Sequence, residues 1–261
     1  MQHELRICHV IDLLQLFALI AMERPIRRDS EAIRDEKVKV LRCVKPVTLD
    51  DCLLGQYTKN GDKPGYTEDE TVADDSLTAT FCALVLKVEN ERWDGVPFII
   101  KNGKAMDNSK AEIRIQFKKV PGSLFRDSPR NELVFRVQPG EAIYMKFNNK
   151  VPGFSVDSMI TELDLTYKSR YDNLKIPAAY EILLLDALRG DHSNFVRDDE
   201  LVAAWEIFTP LLHQIENEKI KPEPYPYGSR GPEKLDGFLK KYGVERLEHE
   251  NYQWPKQNLE G

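Results

Sequence analysis

Several familiar sequence features are missing from this chain of 261 residues. It has no glycine-rich fingerprint of the kind that opens a dinucleotide-binding Rossmann domain. Its four cysteines form no C-x-x-C pair and have no histidine at zinc spacing, so we expect free thiols in a reducing compartment and no metal site. The net charge of −6 argues against binding nucleic acid, because duplex binders usually carry a clear basic excess.

One apolar segment, Leu13–Met22, raises the question of a signal peptide or a membrane span. It is too short to cross a bilayer. Asp12 borders it and no A-x-A cleavage site follows, so we interpret the segment as a core helix. The sequence therefore predicts a cytoplasmic protein that does not bind a membrane.

The centre of the chain is rich in predicted strands. Ile113 and Ile115 alternate with Glu112 and Arg114, which is the period of a strand with one buried face. Short Gly-, Pro- and Asn-containing connections separate the strands, so they pair antiparallel. The predicted strands are Ala79–Val88, Ala111–Lys118, Glu132–Val137, Glu141–Asn148 and Glu162–Tyr167.

Helices are predicted on both sides of this centre. Ser30 is a candidate N-cap for a short helix that is followed by a β-branched run, Val38–Val44. A later helix from Asp198 ends near Pro210 or continues past a kink to Ile215. The other helices are Val10–Met22, Ala178–Leu188 and Pro232–Tyr242. The fold class is therefore α+β: a large, mostly antiparallel sheet with helices packed on one face and no Rossmann domain, the other face being solvated or covered by a partner.

Residues 91–117 combine a glycine turn with cations, a pattern that suits phosphate recognition. Lys104 follows Gly103, and Lys110 and Arg114 share the polar side of one strand. From the residues alone, a solvated outer sheet face is the favoured explanation of these strand cations. The acidic run Glu68–Asp75 lacks the spacing of a calcium loop and is interpreted as a solvated loop.

Several long segments resemble the C-terminal domain of glucose-6-phosphate dehydrogenase. Their order and spacing match that family from about Leu13 to Trp254. The predicted organisation is a non-matching segment at 1–12, the family domain at 13–254 and a tail at 255–261. The matching segments are IRDEKVKVLR (33–42), RWDGVPF (92–98), GKA (103–105), KAEIRIQF (110–117), RNELVFRVQP (130–139), ELDLTY (162–167), FVRDDEL (195–201), FTPLLHQIE (208–216) and YGSRGP (227–232).

The resemblance implies the second half of a two-domain oxidoreductase of carbohydrate metabolism. The family oxidises glucose 6-phosphate to 6-phosphogluconolactone with NADP, in the pentose phosphate pathway. Its coenzyme-binding G-x-x-G-D motif and the R-I-D-H-Y-L-G-K segment, which supplies the catalytic histidine, have no counterpart in these residues. Ile7 also stands where the family has a substrate-binding aspartate. We therefore assign no catalytic residue and expect no turnover by this chain alone.

The resemblance also implies two sets of binding residues. Lys104 and Gln138 match contacts to glucose 6-phosphate, but Ser109 replaces an arginine of many family members, so substrate binding is expected to be weak or lost. The second set matches the structural NADP site of eukaryotic members, separate from the catalytic NADP site, which is absent. Its residues are Lys110, Arg114, Arg136, Lys146, Asp164, Arg230, Tyr252 and Trp254.

Two alternatives stay open. The chain can be a non-catalytic module that binds NADP and regulates a full-length paralogue, pairing through the sheet as a homodimer or heterodimer. It can also be an incomplete gene model, because its non-matching first dozen residues directly precede a well-matched segment.

Overall fold

A computed structural model describes residues 4–122, 128–154, 158–171 and 177–244, with side chains from residue 13 onward except those of Lys168 and Ser169. The described residues form two compact units. The first unit is drawn from Met1–Asp107 and Pro177–Phe238, and the second from Asn108–Ile176 and Leu239–Gly261. No helix within the described ranges is long and apolar enough to cross a membrane.

Three long helices form the helical layer of the first unit: α1 (Glu4–Ala21), α2 (Ser30–Arg42) and α5 (Asp198–Asn217). Leu14 and Phe17 of α1 and Ile207 of α5 lie in one buried cluster with residues of the first sheet. The shorter helices are α3 (Tyr167–Arg170), α4 (Ala179–Arg189) and α6 (Leu235–Lys241). Helix α5 runs through Pro210, as one of the two sequence alternatives proposed.

Helix α2 departs from the prediction at both ends. Asp29, not Ser30, is its N-cap, and its carboxylate accepts a hydrogen bond from the Ala32 N–H at 2.9 Å. The predicted β-branched run is also wrong, because the helix continues to Arg42. Val38 and Leu41 lie three residues apart and are buried, so packing of one helix face outweighs the modest β preference of valine.

The first sheet has the strand order β3-β2-β1-β8, built from β1 (Cys52–Thr58), β2 (Phe81–Lys87), β3 (Pro97–Gly103) and β8 (Glu223–Pro226). Strand β8 pairs parallel to β1, and the other pairs are antiparallel. Strands β1 and β3 were not predicted. Neither shows clean alternation, and β3 begins with a proline, which an edge strand tolerates at its first residue.

The second sheet is an antiparallel meander in the order β4-β5-β6-β7. Its strands are β4 (Ala111–Gln116), β5 (Glu132–Gln138), β6 (Ala142–Lys150) and β7 (Ser158–Thr166). All four were predicted from alternation, although β7 begins four residues earlier than expected. The α+β class is confirmed, with the strands divided between two four-stranded sheets rather than joined in one.

Candidate functional site

The register of the second sheet brings the predicted cations to one face. Its middle row joins Arg114 of β4, Val134 of β5, Tyr144 of β6 and Asp164 of β7. One flanking row contains Gln116, Glu132, Lys146 and Glu162, and the other contains Glu112, Arg136, Ala142 and Thr166. We call this face the charged face. Arg114, Arg136, Lys146 and Asp164 all lie on it, as their period-two positions predicted.

Carboxylates on the same face accompany the cations, and sequence reasoning missed three of them. The Lys110 ammonium lies 3.0 Å from the Glu112 carboxylate, and the Arg114 Nε donates to that carboxylate at 2.7 Å. Arg114 Nη1 also lies 3.1 Å from Glu132. The signal was present in the sequence, since Glu112 precedes Arg114 by two residues and must share its face.

The charges of this cluster balance. Its four cations are Lys110, Arg114, Arg136 and Lys146, and its four carboxylates are Glu112, Glu132, Glu162 and Asp164. An incoming anion must therefore compete with the Glu112 and Glu132 carboxylates, which already hold Lys110 and Arg114. Guanidinium and ammonium groups held in place in this way are also preorganised, which reduces the entropy lost when they bind a ligand.

Ion pairing outweighs burial in setting the pKa values of Glu112 and Arg114. Burial by itself raises the pKa of Glu112, but the hydrogen bonds and charges of Arg114 and Lys110 outweigh it and hold the pKa below its ordinary value. For Arg114, burial opposes the charge, while Glu112 and Glu132 stabilise it and raise the pKa. Each group thus favours the charged form of the other.

The row beside them is more deeply buried. Lys146 is 5% exposed and Glu132 is 4% exposed. Burial lowers the pKa of Lys146, and the charge of Arg114 adds to that effect. Burial raises the pKa of Glu162, whose Oε1 atom is inaccessible and makes no hydrogen bond in the described part of the chain. Extra negative charge near Lys146 would therefore stabilise its ammonium form.

Tyr144 is a further member of this face that the sequence did not single out. The Arg136 guanidinium lies over its ring, 5.4 Å from the centroid, in a cation–π contact. Burial raises the pKa of the Tyr144 hydroxyl, and the charges of Arg114 and Arg136 act against that rise. An aromatic residue at a polar-face position of a strand is the signal that could have identified it.

The predicted substrate residues, Lys104 and Gln138, belong to different units. Lys104, in the first unit, is exposed in the turn that follows β3. Its backbone N–H donates to the Thr80 carbonyl at 2.9 Å, and its carbonyl accepts the Tyr225 hydroxyl at 2.8 Å. Gln138, in the second unit, is exposed at the end of β5.

Of the three remaining predicted nucleotide contacts, the structure describes Arg230. Arg230 belongs to the first unit, where its Nε lies 3.4 Å from the Asp107 carboxylate. Tyr252 and Trp254 lie outside the described residues, so their stacking stays a prediction.

A shallow groove of about 630 Å³ lies on the surface of α5. It is lined by Val202, Trp205, Glu206, Thr209, Pro210 and His213. Of the predicted site residues that the structure describes, none lines this groove. Across the described ranges, no group of three or more His, Cys, Asp and Glu side chains is arranged to hold a metal ion.

Comparison with known proteins decides the family. The family model described as "Glucose-6-phosphate dehydrogenase, C-terminal domain" matches residues 8–255. The chain belongs to the glucose-6-phosphate dehydrogenase family. It is 58% identical over 246 residues to glucose-6-phosphate 1-dehydrogenase of Emericella nidulans, covering 93% of this chain and 48% of that relative. The enzyme of the same name from Saccharomyces cerevisiae is 54% identical over 246 residues, covering 93% and 49%.

A solved structure supports the same assignment. A glucose-6-phosphate dehydrogenase in complex with its substrate glucose-6-phosphate matches with a TM-score of 0.85 and 53% identity. That match covers 90% of this chain and 49% of the other. The predicted resemblance is confirmed, and the chain spans about half the length of the glucose-6-phosphate dehydrogenases that it matches.

Proposed function

We propose that this chain supplies binding functions of a glucose-6-phosphate dehydrogenase: the charged face holds a structural NADP, and Lys104 contributes to the binding of glucose 6-phosphate. The whole enzyme would oxidise that sugar phosphate with NADP, in the cytoplasm. Support for the reaction comes from two relatives that are both named glucose-6-phosphate 1-dehydrogenase. Each is identical to this chain at more than half of the aligned positions.

The observation that carries the nucleotide proposal is the register of the second sheet. Arg114 and Arg136 can each present two N–H groups to phosphate oxygens, and Lys110 adds an exposed point charge. Lys146 lies deeper, and its burial makes a nearby anion more favourable. NADP carries a 2′-phosphate and a pyrophosphate, whose negative charges would compete with the carboxylates that hold Lys110 and Arg114.

Isothermal titration calorimetry with NADP tests this proposal. Arg136→Ala is expected to weaken binding about tenfold to a hundredfold, since a hydrogen bond to a charged group contributes roughly 1.5–3 kcal/mol. Lys150→Ala is the matched control, because it removes a cation at the far end of β6 and should leave the affinity unchanged. NAD, which lacks the 2′-phosphate, should bind more weakly than NADP. A parent chain that binds neither nucleotide contradicts the proposal.

We further propose that the 261-residue chain shows no turnover when it is produced alone. Removing a general base typically lowers the rate by a factor of about 10²–10⁴, and no described histidine is assigned that role. The measurement is NADPH formation from glucose 6-phosphate, followed at 340 nm. Clear activity from the purified chain contradicts this part of the proposal.

A second candidate function is self-association or pairing with a full-length paralogue. The face of the second sheet opposite the charged face supports it. That face carries apolar side chains from every strand, and Leu163 is 67% exposed there. An exposed apolar patch on a sheet is typical of an interaction surface. Leu163→Glu is expected to shift a dimer towards monomer in sedimentation velocity, whereas Leu184→Glu, on the exposed surface of α4, should not.

A further inference from the structure

The turn that carries Lys104 contains a backbone conformation that its sequence does not favour. Ala105 has φ = 50°, in the left-handed region that residues with a Cβ seldom occupy. Within the described residues, Lys219 is the other non-glycine residue with positive φ. Such conformations persist where the surrounding structure holds them, and they cluster at functional sites.

Three hydrogen bonds to two other segments of the chain hold this turn. The Lys104 N–H donates to the Thr80 carbonyl at 2.9 Å, and the Gly228 N–H donates to the Ala105 carbonyl at 2.7 Å. Between them, the Tyr225 hydroxyl donates to the Lys104 carbonyl at 2.8 Å. The Lys104–Ala105 peptide is therefore fixed by a side chain that comes from strand β8.

The Tyr225 hydroxyl is a rigidly held hydrogen-bond donor. It is fully buried, and its ring packs edge-to-face against Phe81 and Tyr57 at centroid distances of 5.7 and 6.4 Å. Its hydroxyl also lies 3.0 Å from Thr80 Oγ1, which accepts the Tyr57 N–H. The Thr80 hydroxyl can then donate to Tyr225, which leaves the tyrosine proton for a carbonyl. The Lys104 carbonyl, at 2.8 Å, is a nearer acceptor than the Thr80 carbonyl, at 3.3 Å. Burial raises the pKa of Tyr225 to about 12, so it stays a donor across the usable pH range.

We propose that Tyr225 is a positioning residue for substrate: it holds the Lys104–Ala105 peptide in the left-handed turn and so directs the Lys104 ammonium towards the sugar phosphate. This rests on the proposed role of Lys104 in binding glucose 6-phosphate. Tyr225 is fully buried, so the proposed role needs no contact between its side chain and the ligand. Its hydroxyl acts through the backbone, so removing one oxygen from a buried residue should weaken the binding of an anion at the exposed Lys104.

The test is an NMR titration of the ¹⁵N-labelled chain with glucose 6-phosphate, using four proteins: parent, Lys104→Ala, Tyr225→Phe and Tyr57→Phe. Tyr57→Phe is the matched control, because the Tyr57 ring packs against Tyr225. The Tyr57 hydroxyl, which this variant removes, makes no hydrogen bond in the described part of the chain. Tyr225→Phe is expected to weaken binding about threefold to tenfold, the usual effect of one hydrogen bond. It should also shift the Ala105 amide resonance, while Tyr57→Phe changes neither.

The outcomes separate the two proposals. If Lys104→Ala removes binding but Tyr225→Phe binds as the parent does, Tyr225 has no positioning role and the role of Lys104 stands. If the parent shows no binding that depends on Lys104, the proposed substrate site and the role of Tyr225 both fail. A loss of NADP affinity equal to the loss of sugar phosphate affinity would show general destabilisation and also overturn the proposal.

A second variant tests the conformational reason. Adding Ala105→Gly to Tyr225→Phe should restore much of the lost affinity, since glycine occupies the left-handed region at no steric cost. Failure of glycine to restore any affinity contradicts the proposed link between Tyr225 and the strained turn.

Discussion

The buried ion pair between α2 and α5 gives the sharpest test of how the first unit is held together. Lys37 is 3% exposed and Glu200 is fully buried, and the Lys37 ammonium lies 2.8 Å from Glu200 Oε1. Neither Glu200 oxygen makes a well-oriented hydrogen bond within the described residues. Charge therefore holds the pair together, without the additional hydrogen bonds that normally offset the desolvation of buried ions.

The magnitude follows from this geometry. Lys37→Met leaves the Glu200 carboxylate buried without its counter-ion, which should cost about 3–5 kcal/mol of unfolding free energy. Changing both residues, as Lys37→Met with Glu200→Leu, removes the desolvation cost of both ions. Because the native pair is poorly hydrogen-bonded, the double variant should be neutral or more stable than the parent by roughly 1–4 kcal/mol.

Urea unfolding, monitored by tryptophan fluorescence to which Trp93 and Trp205 of this unit contribute, measures these effects. The slope against urea must stay constant among the variants for the free energies to be compared. A loss below about 1 kcal/mol for Lys37→Met, or a double variant that loses as much as the single one, would refute the reasoning.

Three further predictions concern the charged face and one glycine turn. Glu112→Gln should destabilise the second unit at pH 7, because the pKa of Glu112 is lowered in the native state and its ionised form therefore stabilises the fold. That stabilisation is fully present above the ordinary pKa of 4.5 and is lost as the pH falls through the native pKa. Glu162→Gln should stabilise the same unit at pH 7, because the raised pKa of Glu162 means that its ionisation opposes folding. In urea unfolding at a series of pH values, the Glu162→Gln difference should shrink as the pH falls from 7 towards the ordinary value of 4.5, whereas the Glu112→Gln difference should shrink only below 4.5. Gly231→Ala should cost about 2–4 kcal/mol, since its φ is 121° and a Cβ there would lie 2.9 Å from the Phe81 ring, and equal stability of variant and parent would contradict this. Gly237→Ala is its control, with open space around the added methyl and an expected gain of up to about 1 kcal/mol in a helix.

Alternation and turn residues were enough to predict the second sheet. Arg114, Arg136 and Lys146 share the charged face because side chains alternate along every strand, whatever the tertiary contacts. The carboxylates Glu112, Glu132 and Glu162 lie on the same face by the same rule. Their effect on the site, a neutral and preorganised cluster, depends on distances that a strand pattern does not contain.

Elsewhere, long-range packing decided the outcome. Strands β1 and β3 lack a local signal and exist because β2 pairs with both of them. Val38–Arg42 stays helical because Val38 and Leu41 bury one face. The Tyr225 hydroxyl reaches the Lys104 carbonyl across 121 residues of sequence, so no pattern near the glycine turn could reveal it.

The sequence by itself determined the family, the α+β class and the residue types able to bind phosphate. These depend on composition, on periodicity and on long segments in a fixed order. The tertiary structure alone decided which carboxylate restrains each cation, which groups lose their water and how the Lys104 turn is held. Those properties arise from contacts between residues far apart in the chain, where a change of one ångström or the loss of one water molecule alters the energy of a charge.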